Sequence, residues 1–372
     1  MILHIMPTEK FTDYAIQQFS APVMESEFVL IPIDDPLESV KQRDKTRIIR
    51  YNSAEYEEFL RHLGDYTSVV LHSTHYYWAG DVLRVVPNHV KVAWVLWGGD
   101  VYGRSDISHT FIAPITKIIS SIHNLSRKYI KRKLSTSWQM NYNLFQRIDY
   151  CMTSQTEEYD YAVNYCKKSF KRLWYTYYSM EEMTGVLMNE RCKGSSVWLG
   201  NSATTSNNHF DALRMMSKHK RALGNRKVII PLSYSEPWIA NSVSKIAGWL
   251  FGKNSQPLMK MMPRDEYNAL MLDCSTMIMP HYMSQAMGNI YTGLWLGMRV
   301  YMSEKNISYH YLKRIGANVY TLEHDFKIYG YTPLSDELVE QNRAALMKVY
   351  GKEHVMKEIE NVVKELSKEK DD

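Results

Sequence analysis

A chain of 372 residues with 45% hydrophobic and 23% charged residues and a net charge of +5 is globular rather than disordered, and long enough for two domains. Cys151, Cys166, Cys192 and Cys274 stand far apart with no C-x-x-C pair, which argues against a zinc ribbon or a disulfide framework and for free thiols in a reducing compartment. No apolar run approaches a membrane span, and the apolar start is broken by Glu9 and Lys10, so a first strand is expected there rather than a signal peptide; the expectation is a cytoplasmic protein with only peripheral membrane contact.

Apolar runs at 2–6, 28–33, 47–51, 68–72 and 92–97 predict strands, with amphipathic helices over 54–63 and 76–86 between them. Such alternation means a parallel sheet with helices on its faces. Two further strands are predicted at 150–153 and 173–177, closing a first domain over 1–180. The polar, aperiodic stretch 181–196 is expected to be a linker. The pattern restarts at Val197 and runs through strands at 227–232, 257–261, 276–280, 299–302 and 319–322, with helices over 239–251, 264–272 and 285–296, which gives a second doubly wound domain over 197–334. The tail 335–372 predicts charged amphipathic helices, the last packing back on the first domain. Open parallel sheets bind ligands beyond the carboxyl ends of their strands, so two such domains facing each other predict a central cleft.

The strand predicted at 92–97 ends in Gly98, Gly99 and Asp100. A carboxylate there is placed to act as a general base on an acceptor hydroxyl; the alternative is an Asp that caps the following helix. His72 and His75 end the preceding strand and are expected near the same cleft, His72 as the second base candidate. After Val197-Trp-Leu, Gly200 and a polar turn lead into a helix whose N-cap is expected at Ser206 or Asn207, with Phe210, Leu213 and Met216 on one face. Free N–H groups at a helix start, with Gly200 and Ser202 allowing close approach, suit a phosphate. The segment 283–294 repeats the theme: Ser284 as cap, Gln285 and Asn289 as donors, Gly288 for close approach. Tyr234 is placed to stack on a base, and Glu323 to accept from ribose hydroxyls.

Between Arg104 and Lys133 seven basic residues, Arg104, Lys117, Arg127, Lys128, Lys131, Arg132 and Lys133, face one acid, Asp106. Phe111, Ile115, Ile118, Ile122, Leu125 and Tyr129 follow helical spacing, so a long amphipathic helix with a basic distal part is predicted. Arg127, Lys128, Lys131, Arg132 and Lys133 are its expected contacts with an anionic membrane surface, the alternative being a solvated basic face. No Asp-x-Asp, Walker A, G-x-G-x-x-G or H-E-x-x-H sequence occurs, and no nucleic-acid-binding motif accompanies the basic charge, so nucleic acid is not expected as a partner.

Residues 97–102 (Trp-Gly-Gly-Asp-Val-Tyr), 199–213, 228–234 and 285–288 together resemble the bacterial 4-acetamido-4,6-dideoxygalactose (Fuc4NAc) transferases of glycosyltransferase family 56, in order over roughly residues 70–325. The resemblance implies a GT-B fold of two Rossmann-like domains, no cofactor and no essential metal. It implies transfer from a nucleotide-sugar, dTDP-Fuc4NAc, to a sugar on undecaprenyl diphosphate at the inner face of the cell membrane, in envelope polysaccharide synthesis. Carried over by position, Gly200, Asn201, Ser202, Ser206, Asn207, His209, Gln285 and Gly288 become donor-site residues, and the acceptor is expected near His72 and Asp100. A polysaccharide pyruvyl transferase and a non-catalytic sugar-lipid-binding protein are the alternative functions.

Overall fold

The computed structural model describes residues 1–9, 11–20, 25–32, 40–104, 106–128 and 142–370, with the side chains of 125–128 excepted. Their chain divides into two compact units. Unit 1 comprises the described parts of 1–104, 135–179 and 352–372; unit 2 comprises those of 105–134 and 180–351.

Unit 1 holds seven parallel strands, β1 (Ile2–Met6), β2 (Ser26–Leu30), β3 (Arg47–Ile48), β4 (Ser68–His72), β5 (Lys91–Val95), β6 (Tyr150–Met152) and β7 (Lys171–Leu173), in the order β3-β2-β1-β4-β5-β6-β7. β1, β4 and β5 are buried along their whole length, which is why they read as mostly apolar runs without strict alternation. Unit 2 holds six more, all parallel: β8 (Ser196–Leu199), β9 (Val228–Pro231), β10 (Ser255–Leu258), β11 (Cys274–Met279), β12 (Arg299–Met302) and β13 (Val319–Thr321), in the order β10-β9-β8-β11-β12-β13. In each sheet the order reverses once, between β1 and β4 and between β8 and β11. That reversal leaves adjacent strand ends whose connections depart in opposite directions, the place where doubly wound sheets take ligands.

Six helices position the loops and faces that carry candidate functional residues: α1 (Gly98–Val101), α2 (Pro114–Lys128), α3 (His209–Lys218), α4 (Pro237–Phe251), α5 (Met287–Leu296) and α6 (Lys352–Ser367). The last belongs to unit 1. Val355, Ile359, Val362, Val363 and Leu366 recur at helical spacing and are buried with Phe19, Phe28, Val70 and Met152 in one core. Polar bonds fix its end, since Lys91 Nζ donates to the Glu365 carbonyl (2.8 Å) and the Tyr150 hydroxyl to Glu365 Oε1 (3.0 Å).

The units are drawn differently from the domains expected from sequence. Residues 181–196 are no free linker; they lie in unit 2, where the helix Met180–Thr184 carries buried Met180 and Thr184. The segment around α2 also joins unit 2, because α3 seizes its start. The backbone N–H groups of Ile115 and Thr116 and the Thr116 hydroxyl all donate to Asp211, at 3.0, 2.8 and 2.7 Å. Ala113 N–H donates to Asn208 Oδ1 (2.7 Å). The register set by these bonds splits the predicted apolar stripe. Ile115 and Ile119 pack on the core that Phe210, Leu213, Met216 and Ile278 share, while Ile118 and Ile122 face outward.

Candidate functional site

At the reversal point of unit 2, the loops after β8 and β11 are laced together. Asn207 Oδ1 accepts from the backbone N–H of Asn201 (2.9 Å) and stands 3.0 Å from His281 Nε2; Asn201 Oδ1 is also 3.0 Å from that nitrogen. Both partners are carbonyl oxygens, so the proton of the neutral ring sits on Nε2. The Asn207 amide donates to Ser202 Oγ (2.9 Å) and Thr204 Oγ1 (2.7 Å), and Thr204 Oγ1 pairs with Ser206 Oγ at 2.9 Å. Ser206 Oγ donates to Gln285 Oε1 (2.8 Å), Gln285 Nε2 reaches Asn201 Oδ1 (3.3 Å), and Asn201 Nδ2 donates to the Tyr234 hydroxyl (3.0 Å). Burial sorts this cluster into two layers. Ser202, Asn207, His209 and His281 are buried, whereas Asn201, Ser206 and Gln285 are half-buried and Tyr234 is 49% exposed.

Gly200 anchors the turn with φ +68°. A Cβ there would lie 2.6 Å from His209 Nε2 and 2.7 Å from Asn207 Oδ1, so glycine is required by the fold as well as by any approaching ligand. His209 opens α3, is buried, and has neither ring nitrogen hydrogen-bonded among the described residues. Burial drives its pKa down to about 3, and His281 likewise to about 3 with His209 adding to the effect. Both rings are neutral at physiological pH.

The expected caps fall elsewhere. Ser206 and Asn207 lie in the 3-10 turn Thr205–Asn207, and α3 begins after Asn208, a non-glycine residue with φ +47° whose side chain bonds Ala113, Phe111 and Pro280 instead of the helix. Ser284 does not cap α5, which starts at Met287 behind Ala286 with φ +58°. Gly288 sits in the first turn of α5 with nothing within 4 Å of its missing Cβ, so it leaves open space and is not there for packing. Asn289 turns to the Tyr267 hydroxyl (2.9 Å). Glu323 stands apart from this cluster at the end of β13, two strands from β11, where it accepts from Ser303 Oγ (2.6 Å) and Glu304 N–H (3.1 Å). His281 is the residue that sequence reasoning missed. A lone histidine after a strand carries no pattern, and only the two asparagines turned toward it show its part.

In unit 1 both expected bases are held by buried hydrogen bonds. Asp100 is buried, and each of its oxygens accepts two donors. Ser73 Oγ (2.5 Å) and Thr74 N–H (2.8 Å) bind Oδ1; Trp94 Nε1 (2.8 Å) and Trp97 N–H (2.8 Å) bind Oδ2. Burial pushes its pKa up while these donors pull the other way. Four donors fill the lone-pair sites of a carboxylate, so Asp100 caps α1 and ties the ends of β4 and β5 together. His72 is equally occupied. Trp97 Nε1 donates to the Tyr177 hydroxyl (2.9 Å), Tyr177 lies 2.8 Å from His72 Nδ1, and His72 Nε2 lies 3.1 Å from His4 Nδ1. One polarity satisfies every step: Trp97 to Tyr177 to His72 to His4. Burial lowers the His72 pKa to about 3, and neither nitrogen is left to meet a substrate. His75, three residues on, is exposed, with its ring 3.8 Å from where a Cβ on Gly99 would stand.

Of the expected membrane contacts, Arg127 and Lys128 end α2 with only their backbone described, and Lys131, Arg132 and Lys133 lie outside the described residues. Among the described residues no helix is long and apolar enough to cross a membrane, and no group of three or more His, Cys, Asp or Glu is gathered as a metal would need.

Two doubly wound parallel sheets, one carrying a polar cluster at its reversal point, define a GT-B protein. The chain is similar in fold to Anabaena HepE in complex with UDP and glucose (TM-score 0.62, 9% identity, 98% of this chain and 99% of that chain). It is also similar to Thermobaculum terrenum O-GlcNAc transferase (TM-score 0.61, 14% identity, 98% of this chain and 67% of that chain) and to sucrose-phosphate synthase from Thermosynechococcus elongatus (TM-score 0.59, 11% identity, 98% of each). No curated protein matches it in sequence. Residues 138–353 match the family described as 4-alpha-L-fucosyltransferase, glycosyl transferase group 56. The chain belongs to that family and is a glycosyltransferase.

Proposed function

We propose that unit 2 binds a nucleotide-sugar, dTDP-Fuc4NAc, and that the enzyme transfers its sugar to an oligosaccharide carried on undecaprenyl diphosphate at the inner face of the cell membrane, in envelope polysaccharide synthesis. The observation that carries this reading is the Asn201–Asn207–His281–Gln285 cluster at the reversal point of the second sheet, which holds the start of α5 beside the Gly200 turn. HepE, of the same fold, is described with UDP-glucose bound, which supports a nucleotide-sugar donor.

The half-buried Asn201, Ser206 and Gln285 face the donor, and the buried layer beneath fixes their rotamers. Tyr234 stacks on the base. The diphosphate sits against the first turn of α5, where Gly288 admits it and the unpaired N–H groups stabilise the charge that grows as it departs. The bond from C1 of the sugar to the diphosphate oxygen breaks, a bond from C1 to the acceptor hydroxyl oxygen forms, and the hydroxyl proton passes to a base. We assign that base to His75, the exposed imidazole on the corner where Asp100 and His72 are both occupied. Arg127, Lys128, Lys131, Arg132 and Lys133 hold the enzyme against anionic lipid.

The test is turnover. With dTDP-Fuc4NAc and a lipid-linked acceptor, mass spectrometry should show the acceptor heavier by one sugar and dTDP released. Transfer from a different nucleotide-sugar alone would replace the donor, and release of dTDP without a heavier acceptor would remove the acceptor assignment.

A further inference from the structure

The helix α2 carries one apolar stripe, and the fold covers only part of it. Ile115 and Ile119 pack on the unit 2 core, while Ile118 and Ile122, one turn apart along the edge of the same stripe, are 60% and 63% exposed. Pro114, Lys117 and Ser121 are exposed around them. The orientation of this outer face is fixed at two points. Asp211 and Asn208 hold the start of the helix, and further along the His123 ring stacks on Trp238 of α4 with centroids 4.0 Å apart. The helix contains no acidic residue, and it ends in Arg127 and Lys128, followed in sequence by Lys131, Arg132 and Lys133.

We propose that Ile118 and Ile122 insert into the headgroup region of an anionic lipid surface, making α2 an interfacial anchor and not only an electrostatic one. This rests on the proposed peripheral attachment to the membrane and adds a mode of attachment to it. Single exposed isoleucines are ordinary on a protein surface. Here a pair stands on a rigidly held helix, without a carboxylate to repel anionic headgroups, and directly before a basic run that draws the helix to them. An apolar face beside Lys and Arg is the pattern of helices that lie in the plane of a bilayer interface. Charge selects lipid over a second protein as the occupant, because the helix carries no acidic residue, Lys117 is exposed beside Ile118, and the basic run follows in sequence.

The two contributions separate by salt. Attraction by the basic run is screened within roughly 8 Å at 0.15 M ionic strength and fades further at higher salt, whereas burial of apolar side chains does not. The experiment is co-sedimentation of the full-length protein with phosphatidylglycerol-containing vesicles and with pure phosphatidylcholine vesicles, at 0.1 and 0.5 M NaCl. Wild type should bind the anionic vesicles at both salt concentrations. The Ile118→Gln/Ile122→Gln variant should lose on the order of tenfold or more of its affinity at 0.5 M NaCl. Replacing the five basic residues by Gln should instead remove the component that salt weakens. As a second readout that does not depend on that variant, Ile122→Cys carrying a polarity-sensitive dye, in a Cys192→Ser background, should shift its emission to the blue on adding anionic vesicles. Equal binding of the Gln pair and wild type at both salt concentrations, or a dye that does not shift, overturns insertion while leaving electrostatic attachment standing. Wild type that binds neither vesicle overturns the membrane reading and this inference with it.

Discussion

Asn207 Oδ1 stands 3.0 Å from His281 Nε2, a contact that joins the loop after β8 to the loop after β11. Because Asn207 also accepts from Asn201 N–H and donates to Ser202 and Thr204, it is the buried hub of the site, and Asn201 is its half-exposed arm. Asn207→Ala should therefore lower stability by about 1–3 kcal/mol, since it strands buried donors and acceptors. Asn201→Ala should melt within about 1 kcal/mol of wild type. Paired thermal melts check the contrast, and equal losses in the two variants would contradict it.

Gly200→Ala tests the turn itself. Its φ of +68° is unfavourable for alanine, and its Cβ would be driven to 2.6 Å from His209 Nε2. A loss of at least about 1–3 kcal/mol is expected, with nucleotide binding lost alongside. Chemical denaturation measures it. A variant as stable as wild type would show that the turn is held some other way.

The corner of unit 1 gives a contrast between two substitutions. Asp100→Asn puts an amide where four donors converge and should cost stability first, with turnover falling in proportion to the folded fraction. His75→Ala should leave the melting temperature unchanged and reduce kcat on the order of 10²-fold, with nucleotide affinity intact. Melting curves beside steady-state kinetics decide between them. A stable Asp100→Asn enzyme with greatly reduced kcat would return the base to Asp100.

Much of this was legible in the residues. Each of the thirteen described strands meets a predicted run, and the central ones match best, because a parallel sheet covered on both faces needs continuous apolar segments such as Val69–Val70–Leu71 and Ile229–Ile230, whereas the edge strand β7 shares only Leu173 with the run predicted at 173–177. The residues around Gly200 and Gln285, which the resemblance groups together, do lie side by side, with Gln285 bonded to Ser206 and Asn201. Helix starts were less legible. α3 and α5 begin behind Asn208 and Ala286, both in a left-handed conformation that usually signals glycine, and tertiary bonds impose it at Asn208. α2 carries an apolar stripe of which the core takes only part, so periodicity alone could not say which residues would be covered. The state of Asp100 was open for a different reason: its four donors come from Ser73, Thr74, Trp94 and Trp97, and only their convergence distinguishes an anchor from a base.

Acid should destabilise the protein through its buried histidines. Burial holds His72, His209 and His281 at about 3, and His4 well below its ordinary value, with His72 nearby as a lesser cause. Below about pH 6.5 the unfolded chain takes up protons that the folded one refuses, so stability falls as the pH drops toward about 3 and is restored as the pH rises through 6.5. The slope is at most about 1.4 kcal/mol per pH unit for each histidine. Urea denaturation at pH 7.5, 6 and 5 measures it, and His209→Gln should flatten the curve. A wild-type slope near zero between pH 6 and 5 would mean that these rings are protonated in the folded state.

The central claim is that the cluster around Asn201 and His281 binds the nucleotide of the donor, and isothermal calorimetry with dTDP tests it most directly. Wild type should bind dTDP in a single site. Asn201→Ala, in which the fold is retained and the half-exposed arm is gone, should bind at least about tenfold more weakly, a loss of roughly 1.4 kcal/mol or more. Unchanged affinity in a folded Asn201→Ala protein would contradict the claim and place the nucleotide elsewhere on the chain.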